Sequence, residues 1–171
     1  MPSSHYDLIT VGGGMAASAL AKAMAESGAK VLVLEQETRF RDRIRGEFIM
    51  PWGVAELQAL GILEFLCSDC AQKVPWIDLG MGGPPRELTT TTAQQLPGLG
   101  YSHPEMQEAL LSAAERAGAE VRRGVTVQGV EPGAPATVIA ASGKIQSKFR
   151  RGLWWARTDA VRKRENGPGS S

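Results

Sequence analysis

Gly12, Gly14 and Ala17 form a G-x-G-x-x-A spacing, and a carboxylate, Glu35, follows 35 − 12 = 23 residues after the first glycine. Residues of these types at these intervals can hold a dinucleotide. Gly12 permits a tight turn from strand to helix, and Gly14 has no side chain to keep a pyrophosphate from the backbone N–H groups at a helix start. Gly13, between them, completes the run of cofactor-binding candidates. Ala17 stands where the third small residue lets the helix pack closely on the strand. The separation of Glu35 is near the usual spacing of about 20, so its carboxylate can accept hydrogen bonds from a ribose diol and would repel a phosphate there.

A glycine-rich turn that binds nothing would carry the same three small residues, so the flanking elements decide. Asp7 to Val11 is a short apolar run rich in β-branched residues, as expected of a buried parallel strand. Met15 to Ser27 is alanine-rich and free of proline and glycine, which predicts a helix ended by Gly28, with Ala16, Leu20, Ala23 and Met24 on the packed face. Lys30 to Leu34 is a second apolar strand that delivers Glu35 at its end. Strand, turn, helix, strand and terminal acid occur in the order a dinucleotide site requires.

The 171 residues suffice for one domain or a piece of one, and a net charge of +1 argues against bulk electrostatic binding to nucleic acid. No apolar stretch is long enough to span a membrane, and the N-terminal MPSSHYD is not a secretory leader, so a cytoplasmic location is expected. Cys67 and Cys70 form a C-x-x-C. No second ligand pair accompanies them for zinc and the surroundings are not thioredoxin-like, so they read as incidental thiols, with no metal expected.

Further along, Arg39, Arg41, Arg43 and Arg45 crowd around Asp42. They read equally as a solvated loop or as a source of planar forks for the phosphates near Gly12 to Gly14. Pro51 to Leu60 predicts a helix stopped by Gly61, and Ile62 to Leu66 a shorter one. Val74 to Met81 and Glu87 to Thr92 predict two strands about a Gly-Gly-Pro-Pro turn, with Gln94 to Gly100 as loop. Ser102, Pro104 and Glu105 mark the start of an amphipathic helix that buries Met106, Leu110, Leu111 and Ala114 and ends at Gly118. His103, at its start, reads as a surface or capping residue. Strands are expected from Ala119, over Val125 to Val130, and over Ala136 to Ala141. The fold class is therefore α/β, a Rossmann-like fold with a parallel sheet and a small β-meander insertion, and incomplete.

DLITVGGGMAASALAKAMAESGAKVLVLE, RIRGEFIMPWGVAELQALGI and HPEMQEALLSAAERAGAEV with VTVQGVE after it, in this order, resemble FAD-dependent monooxygenases of the para-hydroxybenzoate hydroxylase type. The resemblance covers roughly residues 6 to 140. It implies FAD as cofactor, with Gly12, Gly14 and Ala17 at its pyrophosphate, Glu35 at the adenosine ribose, and Arg45, with Arg43 as second candidate, near the phosphates. It also implies NAD(P)H, O2 and a small organic substrate as partners, with neither nucleic acid nor membrane. A halogenase or reductase of the same fold, or a non-catalytic nucleotide-binding module, would share the adenosine end. No catalytic residue can be named.

The sequence departs from that family at Gln36, where a basic residue often follows the acid, and at His103, where an arginine often opens the helix. The larger departure follows Ala140, where an Ala-Asp-Gly motif is expected and the chain reads FRRGLWWARTDAVRKRENGPGSS. Lys144 to Glu165 carries eight basic and two acidic residues, a composition expected to be disordered. Tryptophan has a single codon, so another frame must read Val across Trp154 and Trp155 and Gly across Trp155 and Ala156. Suitable third bases extend that frame to Ala-Arg-Val-Val-Val-Gly-Ala-Asp-Gly-Arg-Ser-Ser. The expectation is a partial FAD-binding domain over residues 1–143 and a basic tail over 144–171 that left its frame between Gln146 and Arg150. A chain without the later flavin and substrate segments is expected to be inactive alone.

Overall fold

The chain turns from strand to helix at Gly12 and back to strand after Gly28, whose positive φ angles of 98° and 83° suit residues without a Cβ. The computed structural model describes residues 6–42, 47–78, 80, 82–133, 135–141 and 143–147. In chain order its first elements are β1 (Leu8–Val11), α1 (Met15–Glu26), β2 (Val31–Glu35), β3 (Phe48–Ile49), α2 (Pro51–Ala59) and α3 (Leu63–Asp69). There follow β4 (Ala71–Val74), β5 (Trp76–Ile77), β6 (Arg86–Glu87), α4 (Leu88–Thr91), β7 (Gly98–Tyr101) and α5 (His103–Arg116). The last four are β8 (Glu120–Arg123), β9 (Val127–Glu131), β10 (Thr137–Ala140) and β11 (Gly143–Gln146). The described residues form two units, one within 6–39 and 110–147, the other within 40–109.

The first unit holds the parallel sheet β1-β2-β8 and the antiparallel sheet β11-β10-β9. Ile9 pairs with Leu32 and Val11 with Leu34. These side chains share one sheet face and join Tyr6 and Val138 in a core with Val127, Val130 and Ile145 packed against it. Strand alternation puts Val31, Val33 and Glu35 on the opposite face. β2 is buried along its whole length, which is why it reads as an unbroken apolar run. β11 corrects the expectation of disorder from Lys144 onward for residues 144–147: the strand pairs with β10, Ile145 packs against the core, and just beyond it Ser147 bridges Tyr6 in parallel.

α1 occupies its expected span, but it buries Ser18, Ala21 and Ala25 rather than the predicted face, and Leu20 is exposed. In an alanine-rich helix hydrophobicity barely distinguishes faces, whereas close approach to β1 and β2 favours the smallest side chains.

The second unit is built on the antiparallel sheet β3-β7-β4, with the hairpin β5-β6 and helices α2, α3 and α4. Two expectations are corrected here. Residues 98–100, read as part of a loop, belong with Tyr101 to the central strand β7, where a Cβ at Gly98 would run into the Phe48 ring: the aromatic takes the place of a side chain. Residues 88–91, read as a strand, form the helical turn α4. The Thr91 hydroxyl donates to the Glu87 carbonyl, the Thr92 hydroxyl to the Leu88 carbonyl at 2.6 Å, and the Thr89 hydroxyl to the Glu87 carboxylate at 3.1 Å. Local side-chain bonds to the backbone outweigh the β-preference of threonine. α5 buries Met106, Leu110, Leu111 and Ala114 as its periodicity predicts.

Candidate functional site

The loop between β1 and α1 is held from several sides. The Gly12 N–H donates to the Leu34 carbonyl at 2.7 Å, continuing the sheet ladder into the turn. The Gly13 N–H donates to Glu35 Oε2 at 2.5 Å, and the Ser18 hydroxyl donates to the Gly13 carbonyl at 3.0 Å, both in buried surroundings. Glu35 Oε1 accepts the Glu37 N–H at 2.8 Å. Glu35 is only 6% exposed, so these bonds supply the hydrogen bonding that its buried carboxylate requires.

The three glycines differ in their reasons for being glycine. Gly12 needs its positive φ, although space around it is open. At Gly13 the backbone is ordinary but space is short: a Cβ would meet Glu35 Oε2 at 3.3 Å and the Leu111 methyls at 3.2 and 3.3 Å. At Gly14 nothing lies within 4 Å of a Cβ position, and φ −67° with ψ 170° is open to any residue. Gly14 is the N-cap of α1, without a side-chain cap and with no acidic residue in the first turn. The start of α1 thus combines an approachable backbone with N–H groups that helix geometry leaves without helical partners and with the positive end of the helix dipole.

Ala17 is half-buried, and the residue sunk completely behind it is Ser18. Sequence reasoning missed Ser18; its signal was a hydroxyl on an otherwise apolar stretch directly after the glycines. Arg43 and Arg45 lie outside the described residues, as do residues 148–171. Arg39, Arg41 and Gln36 are exposed.

The other candidate groups lie elsewhere. In the second unit the His103 N–H donates to the Glu47 carboxylate at 3.2 Å, and its Nδ1 is buried without a hydrogen-bond partner among the described residues. Burial and then the Glu47 charge raise the Tyr101 hydroxyl pKa. Cys67 and Cys70 are free thiols, and burial, followed by the charges of Asp69 and Glu105, pushes Cys70 up to about 11. In the first unit Tyr6 donates to Glu120 at 2.6 Å and Arg122 pairs with the same carboxylate at 2.7 Å, beside the start of β8 and away from the glycine loop. Among the described residues no helix is long and apolar enough to cross a membrane, and no cluster of His, Cys, Asp and Glu could hold a metal ion.

The family profile described as FAD binding domain matches residues 5–141. The chain belongs to that family. FAD is the cofactor of this domain, and the loop fits it: the approachable backbone at Gly14 suits a pyrophosphate, and the buried acceptor Glu35 suits a ribose. Squalene monooxygenase of Eremothecium gossypii is 44% identical over 59 residues, 34% of this chain and 12% of that protein. The anhydrotetracycline hydroxylase OxyS of Streptomyces rimosus superimposes with a TM-score of 0.68 at 24% identity, covering 86% of this chain and 30% of its own. The halogenase PltM does so with 0.65 at 18%, covering 84% and 33%. The two solved structures share the fold with this FAD-binding chain, which spans about a third of their length and about an eighth of the monooxygenase.

Proposed function

We propose that this chain holds the adenosine-diphosphate end of FAD within a cytoplasmic monooxygenase-like oxidoreductase. Gly12, Gly13, Gly14 and Ala17 surround the pyrophosphate, Glu35 receives the adenosine ribose, and Arg45, with Arg43, approaches the phosphates. The observation that carries this reading is the opening at Gly14, where an uncapped helix start borders a backbone with no heavy atom within 4 Å of its Cβ position. Glu35 adds selectivity, because a buried carboxylate repels a phosphorylated ribose.

When bound, FAD would supply two-electron chemistry in which NAD(P)H is oxidised, one atom of O2 passes to a small organic substrate and the other leaves as water. The residues of this chain bind and orient the cofactor, and none is assigned to the oxygen transfer. The likeness to PltM supports a second reading, a halogenase with the same adenosine site. Adding FAD and NAD separately and measuring thermal stabilisation tests the proposal. Stabilisation by FAD alone supports it; stabilisation by NAD alone overturns it.

In this reading residues 1–143 are the partial FAD-binding domain and residues 144–171 the basic tail, which is translated from a shifted frame from a point between Gln146 and Arg150 onward. The other frame's Val-Val-Val-Gly-Ala-Asp-Gly supports this. So does the parallel bridge from Ser147 to Tyr6, which brings the chain beside β1 where the shift is placed. Resequencing the DNA from the codon of Ala140 onward is the test. Another frame that restores Gly-Ala-Asp-Gly and continues open supports the reading; no such frame would overturn it.

A further inference from the structure

Ser18 touches two consecutive peptide groups of the glycine loop. Its hydroxyl donates to the Gly13 carbonyl at 3.0 Å, and its backbone N–H donates to the Gly14 carbonyl at 2.9 Å. The residue is 0% exposed, so neither bond is shared with solvent. In a trans peptide the N–H points opposite to the C=O. Fixing the Gly13 carbonyl therefore fixes the direction of the Gly14 N–H, and fixing the Gly14 carbonyl does the same for the Met15 N–H. Both then face away from Ser18, outward from the start of α1.

The peptide between Gly13 and Gly14 needs such a lock. Like the peptide before it, it is flanked by two residues without Cβ atoms, so steric restraint on its rotation is weak. The preceding peptide is fixed differently, through the Gly13 N–H and Glu35 Oε2. From these contacts we infer that Ser18 is a positioning residue, whose hydroxyl aims the Gly14 N–H at the phosphate oxygens of the cofactor. The inference rests on the FAD reading and adds to it a residue outside the glycine fingerprint.

Ser18→Ala removes the hydroxyl while keeping the backbone bond and the small volume that close packing demands. The expected result is a loss of roughly three- to tenfold in affinity for FAD and ADP, the size of one neutral hydrogen bond, with adenosine affinity unchanged. In the ligand-free chain the Gly14 amide resonance should shift or broaden, reporting a freed peptide. Ser18→Thr keeps the hydroxyl and should restore both readouts if its extra methyl is accommodated. A purely structural role would lower the melting temperature, leave the ratio of ADP to adenosine affinity as in the parent, and leave the Gly14 amide unmoved; that outcome overturns the inference. If the parent chain does not respond to FAD, the cofactor reading fails, and the Gly14 amide still decides whether Ser18 orients the peptide.

Discussion

The backbone N–H of Gly13, in the turn after β1, and the carboxylate of Glu35, the last residue of β2, are joined by a hydrogen bond of 2.5 Å. The terminal acid thus holds the turn in place, and its second oxygen is engaged by the Glu37 N–H at 2.8 Å. Glu35→Gln can satisfy only one of these donors, because the amide nitrogen cannot accept. The expected cost is about 1–3 kcal/mol of stability, the usual penalty of a buried donor left unpaired. Urea denaturation of the ligand-free chain checks it; an unchanged midpoint would show that the two bonds contribute nothing net.

Substitutions at Gly12 and Gly14 should separate folding from binding. Gly12→Ala forces a Cβ onto a backbone with φ 98° and should destabilise the chain by roughly 1–3 kcal/mol. Gly14→Ala meets no atom and an ordinary φ, so stability should change by about 1 kcal/mol or less while the response to FAD falls. Gly14→Asp should abolish that response by adding bulk and negative charge at the pyrophosphate. Thermal melts with and without FAD read both effects. An undiminished FAD shift in Gly14→Asp would remove the glycine loop from the site.

The division between what was legible and what was not follows the physics of each element. β1, β2, Glu35 and the packed face of α5 were readable because burial on both sides, or on one stripe, imposes an unambiguous apolar pattern. The packed face of α1 was not, since a run of alanines carries little periodic contrast. β7 was hidden because Gly98 looks like a loop residue until Phe48 is seen to occupy its side-chain space. The turn at α4 depends on hydroxyl bonds to Glu87 and Leu88 that propensity scales do not contain. Ser18 was legible only as a small residue, because the role of its hydroxyl appears once Gly13 is folded against it.

The Tyr6 hydroxyl, bonded to Glu120 at 2.6 Å, lowers the pKa of that carboxyl, and Arg122 adds to the effect against the opposing influence of burial. A carboxyl with a depressed folded pKa contributes stability above its unfolded value of 4.5 and loses it as pH falls through the folded value. The side chains of Glu120 and Arg122 are 46% and 39% exposed, so the contribution should be about 0.5 kcal/mol or less. Glu120→Gln should therefore narrow the stability difference between pH 6 and pH 3 slightly. Urea midpoints at the two pH values measure it, and a wider difference in the variant would contradict the assignment.

Cys70 should react slowly in the folded chain in any reaction that needs thiolate. Burial, then the charges of Asp69, Glu105 and Cys67, raise its pKa from 9.0 to about 11. Below pH 9 this leaves about a hundredfold less thiolate than an unperturbed thiol would have, and alkylation slows, though by less than that factor because a more basic thiolate is the better nucleophile. Brief iodoacetamide pulses at pH 8, read by peptide mass spectrometry, should label Cys70 slowly in the folded chain and quickly in urea. Glu105→Gln should speed the folded reaction modestly, since that charge is a smaller cause than burial. Rapid labelling of Cys70 in the folded chain would mean that its thiol is activated, and would reopen the pair as a redox site.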